Sequence, residues 1–324
     1  MFAQKLNFCD VLIKPKKTKL SSRSQVNLNR SFNFKNSKSL WRGVPIVSSN
    51  MDTIGTSKMY KPLKEKGMIN VFNKHIKQYP KDLTINSFMY SSGLDTKKLY
   101  EDINNFKPKF VCFDIANGYI QKYHDVIREF KDKFPEITVC AGNVVTPEMV
   151  EYYITECGVD IVKIGIGSGS VCTTRNKTGV GYPQLSCILD CAKAAHSNGG
   201  YIMSDGGIKQ PGDVAKAFAA GADFVMLGGI LSGHDENING QIFVKNGKKY
   251  VKFYGMSSQR ANELYSGGTQ EYRAAEGREI EVELKGPVEN TLNDILGGVR
   301  SACTYLNCEN LEELPENAEF IIGN

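Results

Sequence analysis

No apolar run in the sequence approaches the roughly 20 residues that a membrane span needs. The opening stretch MFAQKLNFCDVLIKPKK also lacks an apolar signal core. The expectation is a cytoplasmic protein with no membrane partner. Histidine is scarce, with four residues in all and none at metal-ligand spacing. The nine cysteines are an odd number without a CxxC pair, which argues against a disulfide framework and against a zinc site, and suits a reducing compartment. Cys187 and Cys191, four apart in a helical stretch, read as packing. Strong charge of one sign is missing too: the formal balance is +5, and lysines such as Lys14, Lys16, Lys17 and Lys19 are not gathered with aromatics into a nucleic-acid face. No nucleic-acid partner is expected.

What is present is a series of short apolar runs, each bounded by turn residues. They are PIVSSN (45–50), GMINVF (67–72), LTINSFM (83–89), KFVCFDIAN (109–117), ITVCAGNV (137–144), DIVKIGIG (160–167), YIMSDGG (201–207) and DFVMLGG (223–229). Stretches between them, such as TPEMVEYYITECG and PGDVAKAFAAG, carry proline near the start and glycine at the end, as helices do. Eight strands buried on both faces and alternating with helices predict an α/β fold, a parallel (β/α)8 TIM barrel. A doubly wound open sheet would want its glycine-rich turn after the first strand, where SSNMDT stands instead.

Polar and reactive residues gather at the carboxyl ends of these strands, where barrel enzymes build their sites. Asn50, Met51 and Asp52 follow the first strand and Lys74 the second; Ser91, Ser92 and Gly93 follow the third, and Asp114 and Asn117 close the fourth. Glycine pairs follow strands seven (Asp205-Gly206-Gly207) and eight (Gly228-Gly229), a pattern whose open backbone N–H groups suit a phosphate. After the eighth strand comes a hairpin with Asn246-Gly247 as its turn, then a long polar stretch that reads as a substrate-covering flap.

After the sixth strand stands GIGSGSVCTTRNKTG, residues 165–179, in which Cys172 sits among glycine, serine and threonine. A structural cysteine packs among apolar neighbours; a nucleophile needs exposure and room. Through FCDVLIKPKKTKLSSRSQVNL, SSNMDTIGT, the cysteine loop, the DGG segment, YGMSS, EYRAAEG and LGGVRSACTYL, the sequence resembles the IMP dehydrogenase/GMP reductase family nearly end to end. GMSS and EYRAAEG draw it toward the reductase branch. Dehydrogenases of this family usually carry a CBS regulatory module between the second and third barrel units. Here residues 74–83 form only a short connector, and no such module is expected. The chain is expected to be one barrel domain, 1–324, with an N-terminal extension over 1–43 and a flap and hairpin insertion over about 234–285.

The resemblance implies NADPH-dependent reductive deamination of GMP to IMP, a purine salvage step, through a covalent thioimidate on Cys172 with Thr174 and Glu276 moving protons. It implies nucleotide contacts from Ser170, Asp205, Gly206, Gly207, Gly228, Gly229, Gly255, Met256 and Ser257, and from Arg273, Ala274, Ala275, Glu276 and Gly277. Asp205 would hold the ribose hydroxyls, and Ser170 and the glycines the 5′-phosphate. For the cofactor it implies Ser22, Arg23, Lys74, Asp114, Ile115, Ala116, Ile166, Gly167, Met256, Tyr272 and Arg273, with Ser301, Ala302, Cys303 and Thr304 reaching in from a neighbouring subunit of a homotetramer. Carbonyls of Gly167, Gly169, Cys172 and Arg175 would hold a monovalent cation, K+ in this family.

Some positions depart from the family pattern. Ser168 replaces the usual loop proline, which predicts a less pre-stiffened loop, and Asn73-Lys74-His75 replaces His-Lys-His. Two other readings remain. An IMP dehydrogenase without the CBS module would hydrolyse the same intermediate, using NAD and an Arg-Tyr dipeptide in the flap; this chain has Glu263-Leu264-Tyr265-Ser266-Gly267-Gly268 there. A nucleotide-binding barrel without turnover would have no use for an exposed thiol.

Overall fold

The computed structural model describes residues 4–238, 242–268, 272 and 274–323. The chain opens with a short strand β1 (Val11–Ile13) and a hairpin of β2 (Arg30–Asn33) and β3 (Leu40–Gly43). Eight parallel strands follow: β4 (Ile46–Ser48), β5 (Asn70–Val71), β6 (Phe88–Ser92), β7 (Phe110–Asp114), β8 (Thr138–Val144), β9 (Ile161–Ile164), β10 (Tyr201–Asp205) and β11 (Phe224–Leu227). They neighbour one another in the order β4-β11-β10-β9-β8-β7-β6-β5, and a parallel bridge between Val47 and Ile69 joins the two ends. This is the expected (β/α)8 barrel.

Helices α1 (Tyr60–Glu65), α2 (Lys97–Phe106), α3 (Gln121–Lys133), α4 (Pro147–Thr155), α5 (Thr174–Thr178), α6 (Gln184–Ser197) and α7 (Pro211–Ala219) connect the strands. Between β5 and β6 the chain runs as turns and loop without a helix. The third strand differs from expectation: it starts at Phe88, not at Leu83, and takes in Ser91 and Ser92. A turn explains the shift. Ser87 N donates to the Thr84 carbonyl at 3.0 Å and the two hydroxyls lie 2.8 Å apart, so Ile85 is left exposed. A pattern of alternating apolar residues was read there as a strand, but threonine and serine hold it as a turn.

Strand periodicity divides the buried residues between two cores. Val111, Phe113, Val162, Ile164, Ile202 and Val225 point outward and pack under the helices; Phe110, Cys112, Cys140, Ile161, Met203, Phe224 and Met226 point inward. The β2–β3 hairpin inserts Phe32 and Trp41 into the inward set, with ring centroids 4.4 and 5.7 Å from Phe224. Because Phe110 and Phe224 are the first residues of their strands, these rings stopper the amino end of the barrel. Only the carboxyl end is left for a site.

After β11 the anticipated hairpin forms from β12 (Phe243–Lys245) and β13 (Lys248–Tyr254), with Asn246 and Gly247 both at positive φ, 53° and 75°, the conformation of a type I′ turn. The polar stretch beyond is more ordered than a flap reading anticipates. It forms α8 (Gln259–Tyr265) and a third strand, β14 (Glu279–Glu283), antiparallel to β13. Its Glu-Ile-Glu-Val-Glu alternation suits an exposed strand, held across the sheet by Lys252–Glu279 at 2.6 Å and Lys248–Glu283 at 2.9 Å. Helix α9 (Val288–Tyr305) and α10 (Leu314–Asn317) complete the chain, and β15 (Phe320–Ile322) pairs antiparallel with β1. No helix among the described residues is long and apolar enough to cross a membrane.

Candidate active site

The cysteine loop leaves β9 at Gly165, whose φ of 135° only glycine adopts readily. A Cβ there would lie 2.1 Å from the Asp205 carbonyl, so the loop hugs β10 before turning toward α5. Buried Val171 pins it next to Cys172. Cys172 N donates to the Gly169 carbonyl at 3.1 Å, and the flap strand crosses alongside: Thr173 N donates to Glu276 O at 2.8 Å and Arg278 N to Val171 O at 2.9 Å. Glu276 is held from its other side, where its N–H donates to Ser257 O at 3.0 Å.

This backbone clamp brings three side chains into line across 102 residues of sequence. The Cys172 thiol donates to Thr174 Oγ1 at 3.2 Å, and Thr174 Oγ1 donates to Glu276 Oε2 at 2.7 Å. The arrangement is a thiol, a hydroxyl and a carboxylate in one line, the order that a nucleophile with a proton relay requires. Chemically, it can take the proton off the thiol and give it back elsewhere.

Below the triad lies a cluster that sequence reading missed. Lys163, only 2% exposed, reaches up from the interior of β9 and contacts Asp114 Oδ1 at 2.5 Å and Asp205 Oδ2 at 2.6 Å. Asn143 Nδ2 donates to Asp205 Oδ2 at 2.9 Å and to the Gly165 carbonyl at 2.7 Å, while Asn50 Nδ2 donates to Asp114 Oδ2 at 3.1 Å. Burial works against the Lys163 charge, yet Asp114 and Asp205 hold it above the ordinary lysine range. Burial likewise pushes the Asp114 carboxyl up, but the Lys163 ammonium outweighs it and leaves the group below the usual carboxylate range. The missed signal was a lone lysine in DIVKIGIG, at an inward position two residues after Ile161.

The sequence-nominated residues divide by position. Cys172, Thr174 and Glu276 line one cleft at the carboxyl end of the barrel. Ser170, Asp205 and the glycines 206, 207, 228 and 229 form one wall of it, and Gly255, Met256 and Ser257 come down from the flap side. Asp114, Ile115 and Ala116, from the end of β7, and Ile166, Gly167 and Gly169, from the cysteine loop, also line it. Among the described residues, Ser49 Oγ and Asn143 Oδ1 are buried in this cleft without a hydrogen-bond partner, as befits groups that meet a ligand.

Other nominated residues lie elsewhere. Lys74 lines an adjoining depression with Ser91 and Ser92, where Ser91 Oγ is also buried without a partner. Ala275 and Gly277 line a depression on the outer side of the flap, and Tyr272 and Ala274 are exposed. Arg273 lies outside the described residues. The Arg175 side chain turns away and donates to the Tyr182 carbonyl. Ser22 and Arg23 begin a turn packed against α9, the helix that carries Ser301–Thr304; none of these lines the cleft of its own chain. Cys303 is fully buried, and burial pushes its thiol up to about 12.

Ser168 does not loosen the loop as its replacement of proline suggests. Its hydroxyl donates to Gln184 Oε1 at 2.7 Å, and its carbonyl accepts from Gly207 N at 3.0 Å. Sequence reading also missed how the flap is fastened. Tyr254 and Tyr265 donate to Asp52 Oδ2 at 2.6 and 2.7 Å, and Tyr265 stacks on His75 at 3.8 Å.

Close approach explains Gly229. A Cβ there would lie 2.3 Å from Ser170 Oγ. Gly229→Ala is expected to rotate that hydroxyl out of the cleft and to weaken binding of a phosphorylated ligand by about tenfold, the value of one charge-assisted hydrogen bond. Calorimetric titration with the phosphorylated and unphosphorylated forms of one ligand checks this, since only the former should lose affinity.

Comparison with known proteins gives a consistent picture. The family model for the IMP dehydrogenase / GMP reductase domain matches residues 90–323. The chain is similar to GMP reductase 2 of Homo sapiens, 50% identical over 328 residues that cover 98% of this chain and 94% of the relative. It is equally similar to GMP reductase of Escherichia coli O81 (strain ED1a), 50% identical over 330 residues with the same coverage.

Proposed function

This chain belongs to the IMP dehydrogenase/GMP reductase family, and from that premise we propose that it is a GMP reductase that converts GMP to IMP and ammonia with NADPH, in purine salvage. The observation that carries the reading is the Cys172–Thr174–Glu276 line of hydrogen bonds in the cleft.

The line of hydrogen bonds supports the following order of events. The thiol proton passes through the Thr174 hydroxyl to the Glu276 carboxylate as sulfur bonds to C2 of the purine. The same path returns a proton to the 2-amino group, and ammonia leaves with the electron pair of its C–N bond. This leaves a thioimidate between Cys172 and C2. NADPH, when bound, would supply hydride to that carbon. The C–S bond then breaks toward sulfur, which releases IMP and leaves the Cys172 thiolate, and a proton from solvent restores the thiol. Asp205 would hold the ribose hydroxyls, and Ser170 with the glycines around 206–207 and 228–229 would cradle the phosphate. Arg273, Gly255, Met256, Ser257, Ala274, Ala275 and Gly277 would close over the nucleotide from the flap.

Asp114, Ile115, Ala116, Ile166 and Gly167 would carry the nicotinamide end of the cofactor. The unpartnered Ser91 hydroxyl beside Lys74 supports a polar ligand continuing in that direction. Ser22, Arg23 and Ser301–Thr304 do not line the cleft of their own chain, which is compatible with a homotetramer in which one copy completes the cofactor site of the next; buried Cys303 would contribute its backbone only. The carbonyls of Gly167, Gly169, Cys172 and Arg175 fit a K+ ion by chemistry. They are neutral oxygen donors, and the described residues hold no cluster of acidic or sulfur ligands that would favour a divalent metal. Such an ion would steady the cysteine loop. We take residues 1–324 as one barrel domain, with the flap and hairpin as an insertion.

The test is absorbance at the reduced-nicotinamide band with purified protein. Loss of NADPH that requires GMP and is matched by ammonia supports the reading. Formation of NADH from IMP and NAD would overturn it in favour of a dehydrogenase.

A further inference from the structure

Lys163 does something that neither the triad nor the binding glycines explain. It is a buried cation whose two contacts come from the ends of two strands that are not neighbours in the sheet. Asp205 ends β10, beside Gly206 and Gly207; Asp114 ends β7, beside Ile115 and Ala116, and all of them line the cleft. We propose that Lys163 is a positioning residue shared by the nucleotide and cofactor half-sites: one ammonium that fixes and charge-balances both carboxylates, so that the two halves are set together. The proposal rests on the assignment of Asp205 to the nucleotide and Asp114 to the cofactor made above.

The geometry supports a shared role over a local one. Each carboxylate has one further anchor, Asn143 for Asp205 and Asn50 for Asp114, and neither side-chain amide bonds to the other acid. Lys163 alone among the described residues bonds to both acids. Two carboxylates brought this near one point without a cation repel each other, and like charges favour a proton on one of them. The other titratable groups around the cluster do not substitute for it. Cys112 and Cys140 lie below it in the barrel, Tyr123 and Tyr153 stand behind it on α3 and α4, and Lys74 faces Asp114 from beyond β5. Asp205 Oδ1, left without a partner among the described residues, remains to accept from a ligand hydroxyl.

The experiment is calorimetric titration of the full-length protein with GMP and, separately, with NADP+, across pH 6 to 8.5. In Lys163→Gln both dissociation constants are expected to rise together, by about tenfold or more. The variant-to-wild-type ratio should be largest at high pH and fall as pH drops, because a proton taken up by one carboxylate relieves the repulsion. Taking the ratio cancels the titration of the ligands themselves. Lys163→Gln combined with Asp114→Asn restores the charge of the wild-type cluster; GMP affinity should return to within about threefold while NADP+ affinity stays weak. A pH-independent loss, a change confined to one ligand, or a double variant as poor as the single one would each overturn the proposal and leave Lys163 a packing residue. If Lys163→Gln does not fold, the double variant decides alone: recovered GMP binding supports the proposal and loss of both ligands overturns it. Wild-type protein that binds no GMP would instead sink the assignment of function on which the proposal rests.

Discussion

Cys172→Ala is expected to abolish turnover, lowering kcat by at least about four orders of magnitude, while leaving GMP affinity within a few-fold of wild type. The reasoning starts from the loop. Cys172 is held by backbone bonds on both sides, from its own N–H to Gly169 and from Thr173 N to Glu276, so removing the thiol takes away sulfur and one weak hydrogen bond and little else. The phosphate and ribose contacts proposed for Ser170, Asp205 and the glycine pairs do not involve it. Binding and chemistry should therefore separate cleanly in this variant. On the proposed route, thiolate addition makes the purine C2 able to lose ammonia, and alanine has no group to replace it. Intact-protein mass spectrometry of wild type quenched during turnover should find a covalent nucleotide adduct that the variant lacks. Turnover surviving the substitution would rule out the covalent route.

Much of this site was legible before the fold, and the reason is the barrel itself. Once eight strands are counted, every strand end points to the same face, so Cys172, Asp205 and the paired glycines must meet even though they are remote in sequence. Lys163 shows what was not legible. Inside an apolar strand a lysine reads as noise unless period-2 facing is tracked, because its partners Asp114 and Asp205 lie on different strands, one of them not adjacent. β14 was hidden for the opposite reason: its Glu-Ile-Glu-Val-Glu alternation was plain, but its charge resembled that of a mobile flap until its partner β13 supplied the lysines. The third strand was misplaced because Thr84 and Ser87 form a turn through side-chain bonds that apolar periodicity does not register. The tyrosine pair on Asp52 depends on α8 folding back onto the barrel, a contact that no local pattern encodes.

Glu276 and Thr174 carry the second large effect. Glu276→Gln and Thr174→Val should each lower kcat by roughly 10²- to 10⁴-fold, the usual worth of positioned acid–base groups. The chain of donors predicts how the losses combine. Thr174 Oγ1 accepts from the thiol and donates to Glu276 Oε2, so the hydroxyl has no independent proton sink and the carboxylate no independent reach. Residues acting as a unit are not additive; the double variant should fall no more than a few-fold below the poorer single one. The step affected can be identified as well. Proton transfer is needed to expel ammonia but not to deliver hydride to C2, so impairing the relay should make deamination limiting. With NADPH deuterated at the transferred position, the isotope effect on kcat should then collapse toward one in both variants, whatever its wild-type size. An isotope effect that grows instead would place Glu276 in the hydride step. Fully multiplicative losses in the double variant would mean that Thr174 and Glu276 serve different protons, contrary to the single line of hydrogen bonds that joins them to Cys172.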